Sequence, residues 1–535
     1  MTVLPSQVLP LSEEFRRNDA AYRARIEDLH ARRAAAVIGG SDKAKALHRS
    51  RRQLLPRERV AALLDPGSPF LEFGQMAGEG IYEGVPPGAT LITGVGMVQG
   101  RACMLIANDA TVKGGTMFGM TTKKHTRAQL FAWQHRLPCI TFVQSGGGFL
   151  PDLANIFPDE GHAGSIMYNQ VRMSAQGIAQ IAIVHGPSTA GGAYIPALCD
   201  EVVIVRNQGA MFLGSPQLVY AATREVIDVE SLGGAEMHTR VSGVTDHLAE
   251  NDSHALAITR GIVAKLEPRP PLRWPLAPDE PPAYDPAEIY GLVSSDPRFP
   301  TDNREVLARL LDGSRLQEFK PLYGDTLICG FANIHGYPIG VLASNGVMFS
   351  ESAVKGAHFI EMCCKRDIPL LFMVDVSGFM VGTAVERGGI AKHGAKFMTA
   401  MASANVPKYT LITGGAYAAA YLAMCGRAFR PNAMMMWPSG RAALMGPEQA
   451  VTTLTMVREN IHRREGTGWS ETERSAFQAP IRQQFTEFSS AYNFARHLWC
   501  DMVIDPLETR ATLALLLDLA GRTPALPTRF GVFRM

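Results

Sequence analysis

The stretch Ile178–Tyr194 decides the fold of this chain: it reads IAQIAIVHGPSTAGGAY, an apolar strand, a tight turn and the small residues that begin a helix. Strands that are buried on both faces read as continuous apolar runs, and they are typical of parallel sheets covered by helices. The stretch Val406–Tyr421, VPKYTLITGGAYAAAY, has the same arrangement in the second half of the chain. The pair predicts an α/β fold that is used twice.

Three further pairs of segments occur in the same order in both halves. They are Thr90–Arg101 with Thr326–Tyr337, the helix-like Thr121–Arg136 with Ser352–Arg366, and Leu137–Phe149 with Ile368–Met380. Any two α/β stretches look somewhat alike, but four ordered matches outweigh that explanation. We therefore expect two large domains related by an internal repeat.

A proline-rich stretch separates the two halves. Ten of the 34 prolines lie between residues 268 and 300, and proline is excluded from helix interiors and central strands. The predicted organisation is a helical N-terminal extension at 1–50, a first domain at 51–267, an extended linker at 268–300 and a second domain at 301–535.

Composition excludes several classes of protein. The 535 residues include 52 Lys+Arg and 50 Asp+Glu, a net charge of +2, so the chain has no general attraction to nucleic acid or an anionic membrane. No apolar run is long enough for a transmembrane helix, and the N-terminus lacks a signal-peptide pattern. The eight cysteines form no C-x-x-C pair, which predicts reduced thiols and no metal in this chain. We expect a cytoplasmic location, or the mitochondrial matrix only if a transit peptide has been removed.

The glycine clusters predict oxyanion sites. A strand that ends in glycine before a helix points unpaired N–H groups into the cleft at the strand ends. Gly191 and Gly192 have no side chain to block a ligand oxygen, and Gly414–Tyr421 is the corresponding turn of the second half. Two such turns suit a reaction in which two different carbonyl oxygens gain negative charge, although small residues also permit close helix–sheet packing.

Side-chain catalysts are harder to identify. The sequence has no G-x-S-x-G, H-E-x-x-H or P-loop motif. His162 and Asp375 are acid–base candidates, but such residues are more often loop charges or turn caps. Lys113 and the pair Lys123–Lys124 are candidates for contacting phosphates, although exposed lysines usually contact only water.

Eight stretches resemble one known family, the carboxyltransferase (β) subunits of biotin-dependent acyl-CoA carboxylases of the 3-methylcrotonyl-CoA type. In chain order they are LLDPGSPFLE at Leu63–Glu72, NDATVKGGT at Asn108–Thr116, FPDEGH at Phe157–His162, TAGGAYIPA at Thr189–Ala197, LGGAEMH at Leu232–His238, NGVMFSESAVKGAHF at Asn345–Phe359, GGIAKHGAK at Gly388–Lys396 and MCGRAF at Met424–Phe429.

This resemblance implies two tandem crotonase-like (ClpP/crotonase) domains and the transfer of CO₂ from carboxybiotin to an acyl-CoA. In the family's mechanism carboxybiotin loses CO₂, the ureido anion takes the substrate proton, and the enolate attacks the CO₂. By resemblance, Gly191 and Gly192 hold the thioester oxygen, and Ala419 and Ala420 hold the ureido oxygen of biotin. The resemblance further implies that biotin or the CoA thioester contacts Phe349, Ala353, Tyr417, Tyr421, Lys113, Gly114, Gly115, Ala163, Thr189 and Ala190.

The resemblance also implies partners. The chain contains no biotinyl-lysine motif and no ATP-grasp glycine loop, so biotin carboxylation is expected on a biotin carboxylase/biotin carboxyl carrier (α) subunit. Family members form homohexamers of β subunits inside complexes of six α and six β subunits. Neither nucleic acid nor a membrane is an expected partner.

The expected substrate is 3-methylcrotonyl-CoA, an intermediate of leucine degradation. Where the family pattern has other residues this chain has Ala163, Tyr220 and Arg224, and a smaller residue near the acyl pocket makes room for a longer chain. Geranyl-CoA or another branched or long acyl-CoA is therefore an alternative. Two other classes stay open: a stand-alone crotonase-like hydratase or isomerase, and a non-catalytic CoA-binding scaffold.

Overall fold

The computed structural model describes residues 2–294, 296, 299 and 301–535. The chain divides into two compact units, which we call the N-half unit (Ala31–Pro271 with Arg496–Leu498) and the C-half unit (Met1–His30, Leu272–Ala495 and Trp499–Met535). Residues 1–50, predicted as one extension, are thus shared between the units, and most of the proline-rich stretch groups with the C-half unit. Residues 295, 297, 298 and 300 of the predicted linker lie outside the described residues.

The N-half unit contains an eight-stranded mixed sheet. Its strand order is β2-β3-β4-β5-β6-β7-β9, with β8 beside β6; β2, β3 and β4 are antiparallel neighbours, and the remaining pairs are parallel. The strands are β2 (Phe70–Phe73), β3 (Leu91–Val98), β4 (Arg101–Asn108), β5 (Cys139–Ser145), β6 (Gln180–Thr189), β7 (Glu201–Val205), β8 (Ala210–Phe212) and β9 (His247–Ala249).

The C-half unit contains a nine-stranded sheet of the same design. Its order is β1-β10-β11-β12-β13-β14-β15-β17, with β16 beside β14. The strands are β1 (Thr2–Val3), β10 (Arg315–Glu318), β11 (Leu327–Ile334), β12 (Tyr337–Ser344), β13 (Leu370–Val376), β14 (Lys408–Tyr417), β15 (Ala433–Met436), β16 (Arg441–Ala443) and β17 (Met502–Val503). Apart from β1, this is the sheet of the N-half unit repeated strand for strand, as the sequence predicted.

Helices lie in the crossovers between parallel strands and in the segments that precede and follow each sheet. The first helix, α1 (Glu13–Ile38), has residues of both units. In the N-half unit the helices are α2 (Asp42–Ser50), α3 (Pro56–Leu63), α4 (Gly119–His135), α5 (Ala163–Ser174), α6 (Gly191–Ala197), α7 (Pro216–Thr223), α8 (Val229–Gly233), α9 (Ala235–Met237) and α10 (Asp252–Ala264). In the C-half unit they are α11 (Ile289–Leu292), α12 (Asn303–Leu310), α13 (Ser350–Lys365), α14 (Thr383–Arg387), α15 (Ile390–Ser403), α16 (Ala418–Ala423), α17 (Pro447–Glu465), α18 (Glu471–Ser489), α19 (Ala491–Arg496) and α20 (Thr509–Gly521).

The parallel strands form the core because helices cover both of their faces. All seven residues of β5 are buried. On one face the strands pack against apolar residues of α3 and α10, such as Leu63 and Leu256. On the other face they pack against α5 and α6, through residues such as Ile166 and Ile195. This two-sided burial is the physical reason for the continuous apolar runs in the sequence.

One irregularity recurs at the ends of the central strands. The register between β5 and β6 shifts between Val143 and Ser145, and that between β13 and β14 shifts between Val374 and Val376. In open α/β sheets the crevice at the carboxyl ends of parallel strands is where ligands bind. The repeat therefore places one candidate site in each unit.

Buried lysines also recur, and they correct one expectation. Lys124 in α4 is 2% exposed, and its Nζ donates to the carbonyl oxygens of Gly88 and Leu91. Lys355 in α13 is buried and donates to Gly324 O at 3.4 Å. The expectation that Lys124 is an exposed residue able to contact a phosphate is wrong, because the helix faces this side chain into the protein, where it holds the turn before β3.

Candidate active site

The first candidate oxyanion turn lies where β6 meets α6. Ala190 adopts a positive φ of 52° with ψ −129°, a strained conformation for a residue with a side chain. This conformation turns the chain so that Gly191 and Gly192 begin the helix, where N–H groups have no intrahelical acceptor. Gly191 is exposed and Gly192 is buried. Both glycines therefore place backbone N–H groups at the helix start, and Gly191 does so at the protein surface.

Space beside Gly192 is limited. A Cβ at this position would lie 3.1 Å from Ser188 Oγ and 3.6 Å from Ser145 Oγ. The Ser188 hydroxyl is buried and has no hydrogen-bond partner in the described part of the chain. Ser145 Oγ donates to Gly115 O at 3.2 Å and accepts from the N–H of Gly147 at 3.3 Å. The turn after β6 is thus packed directly against the end of β5.

The predicted segment Lys113–Gly115 lies against the same strand end. Gly114 O accepts the N–H of Gly146 at 3.1 Å. Gly115 has φ 73°, and a Cβ there would lie 2.3 Å from Gln144 O. Glycine is required at this position because both its φ and the adjacent backbone exclude a side chain. Lys113 itself is exposed.

A cavity of ≈ 1010 Å³ opens at these strand ends within the N-half unit. The cavity is lined by residues of the segments 39–51, 84–86, 110–114 and 144–146 and by Thr189. Among them are the predicted residues Lys113 and Gly114, and also His48 and Arg51. We call it the N-half cavity. Its volume suits a large ligand, and its lysine and arginine supply positive charge for phosphates. Arg51 and His48 were not predicted from the sequence.

The second candidate turn has the same geometry. Ala418, at the junction of β14 and α16, has φ 52°, the same value as Ala190. Ala419 is exposed and Ala420 is buried, which repeats the pattern of Gly191 and Gly192. The structure therefore aligns Ala419 and Ala420 with the two glycines, independently of the sequence motif.

A smaller cavity of ≈ 340 Å³ lies at this second strand end, and we call it the C-half cavity. Its lining includes Tyr417, Asp375, Ser439, Arg25 and Arg441. Burial raises the pKa of the Asp375 carboxyl, and its Oδ1 accepts the N–H of Gly415 at 2.8 Å. Of the residues that the resemblance assigns to biotin or the CoA thioester, Tyr417 is in this lining as far as the structure describes it, and the acid–base candidate Asp375 is there as well.

Neither cavity lining includes the other predicted site residues, which are Gly115, Ala163, Ala190, Gly191, Gly192, Phe349, Ala353, Ala419, Ala420 and Tyr421. Ala163 begins α5 and donates its N–H to Ile156 O at 2.7 Å, while Phe349 caps α13 and accepts the N–H of Ala353 at 3.0 Å. The Tyr421 hydroxyl accepts the N–H of Arg427 at 2.9 Å, and burial raises the pKa of Tyr421 to about 12. Through these hydrogen bonds Ala163, Phe349, Ala353 and Tyr421 stabilise the local backbone.

The two acid–base candidates have different surroundings. His162 is only partly buried, next to an exposed turn, where its Nδ1 accepts the N–H of Asp159 at 3.2 Å. Asp375 also accepts backbone N–H groups, but it lines a cavity. Among the residues that the structure describes, no group of His, Cys, Asp and Glu is arranged to hold a metal ion. No helix in the described part of the chain is long and apolar enough to cross a membrane.

Comparison with known proteins agrees with this architecture. The carboxyl transferase domain model matches residues 47–532. The chain is 52% identical, over 96% of its length and 97% of the relative's, to the biotin-dependent 3-methylcrotonyl-coenzyme A carboxylase beta1 subunit of Mycobacterium tuberculosis. It is 46% identical, over 100% of its length and 92% of the relative's, to the mitochondrial methylcrotonoyl-CoA carboxylase beta chain of Arabidopsis thaliana.

A solved structure extends the similarity to three dimensions. The beta subunit of P. aeruginosa geranyl-CoA carboxylase matches with a TM-score of 0.88 and 37% identity, covering 99% of each chain. The predicted pair of tandem crotonase-like domains is thereby confirmed. This chain therefore belongs to the carboxyl transferase family, and the resemblance of its motifs to the carboxyltransferase (β) subunits of biotin-dependent acyl-CoA carboxylases is confirmed.

Proposed function

We propose that this chain is the carboxyltransferase subunit that moves CO₂ from carboxybiotin, carried by a partner subunit, to 3-methylcrotonyl-CoA. The observation that carries the proposal is the duplicated turn: Ala190 and Ala418 share φ 52°, and each precedes one exposed and one buried residue at a helix start. Two preorganised pairs of amides match a reaction in which two carbonyl oxygens gain negative charge.

In this proposal the N-half unit binds the acyl-CoA. Its cavity of ≈ 1010 Å³ has room for a CoA-sized ligand. Lys113 and Arg51 carry the positive charge that the phosphates need, and the glycines of the segment Lys113–Gly115 allow close approach of the backbone. The Gly191 and Gly192 amides then hold the thioester oxygen as the dienolate forms. The negative charge left when the γ-carbon of 3-methylcrotonyl-CoA loses its proton is delocalised through the conjugated double bond onto this oxygen, where the amides stabilise it.

In this proposal the C-half unit binds biotin. Biotin, when bound, supplies a ureido ring that carries and releases the carboxyl group. The Ala419 and Ala420 amides hold the ureido oxygen, and the protein then needs no side-chain base. The absence of a catalytic motif from the sequence is consistent with this division of labour.

The substrate and the assembly are parts of the same proposal. Two of the most similar relatives are named as methylcrotonyl-type carboxylase β subunits at 52% and 46% identity, which supports 3-methylcrotonyl-CoA. Geranyl-CoA is the second candidate, because the geranyl-CoA carboxylase β subunit matches over 99% of the chain. We further propose a biotinylated α subunit as partner and a β hexamer, with the N-half site of one β subunit facing the C-half site of another.

The test is reconstitution with the biotinylated partner. The purified complex is supplied with ATP, labelled bicarbonate and either 3-methylcrotonyl-CoA, geranyl-CoA or propionyl-CoA. We expect the highest kcat/KM for 3-methylcrotonyl-CoA. A higher kcat/KM for geranyl-CoA would replace the substrate assignment, and hydration of enoyl-CoA without any partner would replace the reaction.

A further inference from the structure

The C-half cavity contains an arginine that the fold does not require. Arg441 begins β16 and pairs with Gly415; in the N-half unit the corresponding residue of β8 is Ala210, which pairs with Pro187. Ala210 is 1% exposed, so the repeat accommodates a small buried residue at this position. The guanidinium of Arg441 is therefore an addition to the common architecture.

A second arginine reaches the same cavity from α1. Arg25 lies three residues after Tyr22, and residues three apart share one face of a helix. Tyr22 fixes this face within the C-half unit, because its hydroxyl lies 3.0 Å from Ser439 Oγ and its ring stacks on Tyr290 with centroids 5.4 Å apart. Arg25 and Arg441 both line the cavity.

The two arginines lack a carboxylate partner among the described residues. Arg441 donates to Thr486 O at 3.4 Å, and the Arg25 guanidinium lies 5.9 Å from the centroid of the Tyr22 ring. Burial lowers the pKa of Arg441, and the nearby charge of Arg25 lowers it further. Two like charges held together in a partly buried position repel each other, and an anion between them offsets that repulsion.

Asp375, the carboxylate of this cavity, is engaged elsewhere. Its Oδ1 accepts the N–H of Gly415 at 2.8 Å and its Oδ2 accepts the N–H of Thr301 at 3.4 Å. A Cβ on Gly414 would lie 2.3 Å from Asp375 Oδ1, so glycine at residue 414 is what leaves room for this carboxylate. Both of its oxygens face backbone donors, and it forms no ion pair with either arginine in the described part of the chain.

We propose that Arg25 and Arg441 form a binding site for a carboxylate-type anion in the C-half cavity. A planar guanidinium matches the two oxygens of a carboxylate, and two guanidiniums confer selectivity for this group over a spherical anion. The ligand is either free bicarbonate or the carboxylate that biotin brings to the neighbouring Tyr417–Ala420 turn. The second source rests on the proposed function; the first does not.

The primary test measures binding to the full-length chain without its partner. The probe is ¹³C-bicarbonate, followed by broadening of its NMR line on titration with protein, with acetate as competitor. Charge-assisted hydrogen bonds predict that Arg441→Ala and Arg25→Ala each weaken bicarbonate binding about tenfold or more. Arg441→Lys should have an intermediate affinity, because the charge is kept and the planar fork is lost.

Controls separate binding from folding. Arg441→Ala gives β16 the residue type that β8 has at Ala210, so we expect its melting temperature to stay close to that of the wild type. Arg458→Ala removes an exposed arginine of α17 and should leave bicarbonate affinity unchanged. Equal affinity of wild type, Arg441→Ala and Arg25→Ala for bicarbonate, or the absence of saturable binding to the wild type, would overturn the site.

Carboxyl transfer in the reconstituted complex distinguishes the two sources. If the site holds the carboxylate on biotin, Arg441→Ala lowers the transfer rate and added acetate inhibits the wild type. If it holds free bicarbonate, Arg441→Ala loses bicarbonate binding while transfer from biotin is unchanged. Either result supports the anion site. Because binding is measured without activity, it remains decisive even if the proposed function fails.

Discussion

Substitution of Gly192 by valine tests the first oxyanion turn. A Cβ added at residue 192 would lie 3.1 Å from Ser188 Oγ and 3.6 Å from Ser145 Oγ, and valine carries two methyl groups beyond that Cβ. The turn has to move away from β5, which displaces the amides that we assign to the thioester oxygen. Loss of one oxyanion donor typically lowers kcat by about 10²–10³, or roughly 2.7–4 kcal/mol of transition-state stabilisation.

The assay compares kcat and KM for 3-methylcrotonyl-CoA in the reconstituted complex. Overpacking costs roughly 1–3 kcal/mol of stability, so we expect Gly192→Val to purify as a folded protein with a KM near the wild-type value. Gly192→Ala is the matched control, because Ala420 occupies the corresponding position in the second turn and the unpartnered Ser188 hydroxyl can rotate away. It should keep kcat within about tenfold of wild type. A folded Gly192→Val variant with wild-type kcat would refute the assignment of this turn.

Three further predictions concern stability and CoA binding. Burial lowers the pKa of Lys124 to about 7, so the unfolded chain binds more protons than the folded chain between about pH 7 and pH 10. When the pH is raised from 7 to 9, the unfolding free energy of the wild type should therefore increase by about 2 kcal/mol relative to that of Lys124→Met. Parallel pH profiles of the two proteins in chemical denaturation would contradict this. Gly115→Ala combines a positive φ with a Cβ 2.3 Å from Gln144 O, so it should lower the unfolding free energy by about 2–4 kcal/mol and raise the KM for acyl-CoA. Gly114→Ala, whose Cβ would have nothing within 4 Å, should cost about 1 kcal/mol. Equal effects of the two variants in thermal melts and kinetics would contradict a role of the segment Lys113–Gly115 in acyl-CoA binding. Arg309 is 1% exposed and forms ion pairs with Glu288 and Glu305. Arg309→Met leaves these carboxylates without their partner, so it should lower the unfolding free energy measured in urea titrations by about 3 kcal/mol. A change smaller than the error of the fit would contradict this prediction.

The sequence predicted the repeat well because its signal is local. Continuous apolar runs such as those of β6 and β14 are dictated by burial on both faces, and the glycines after β5 and small residues after β6 mark turns that need close backbone approach. The helix start at Gly191 and Gly192 and the corresponding turn Gly414–Tyr421 could therefore be predicted from these stretches alone. The choice of Ala419 and Ala420 within that turn depended on the resemblance to the carboxyltransferase family.

Long-range features could not be predicted in the same way. Arg25 reaches the C-half cavity from a helix more than 400 residues before Arg441 along the chain, and no local pattern connects the two. Lys124 is charged in the sequence yet buried in the structure, because only the packed turn at Gly88–Leu91 provides its hydrogen-bond acceptors. A signal for Arg441 was present, since the aligned repeat has alanine at residue 210, but it becomes visible only once the strands are paired.

The predicted domain limits and the roles of the site residues stay predictions. Residues 1–30 belong to the C-half unit, where Leu4 donates its N–H to Ser314 O at 2.9 Å and β1 pairs with β10. These contacts join segments about 300 residues apart in the chain. A helical pattern near the N-terminus gives no indication of which half of the chain it packs against.

The most direct test of carboxyl transfer is the effect of avidin on the reconstituted complex. Avidin binds biotin and removes it from reaction, so carboxyl transfer through biotin stops while any biotin-independent chemistry on enoyl-CoA continues. Our account predicts that avidin abolishes ATP-dependent incorporation of labelled bicarbonate into 3-methylcrotonyl-CoA and that free biotin added beforehand protects the activity. Turnover of the CoA thioester that is insensitive to avidin would contradict it.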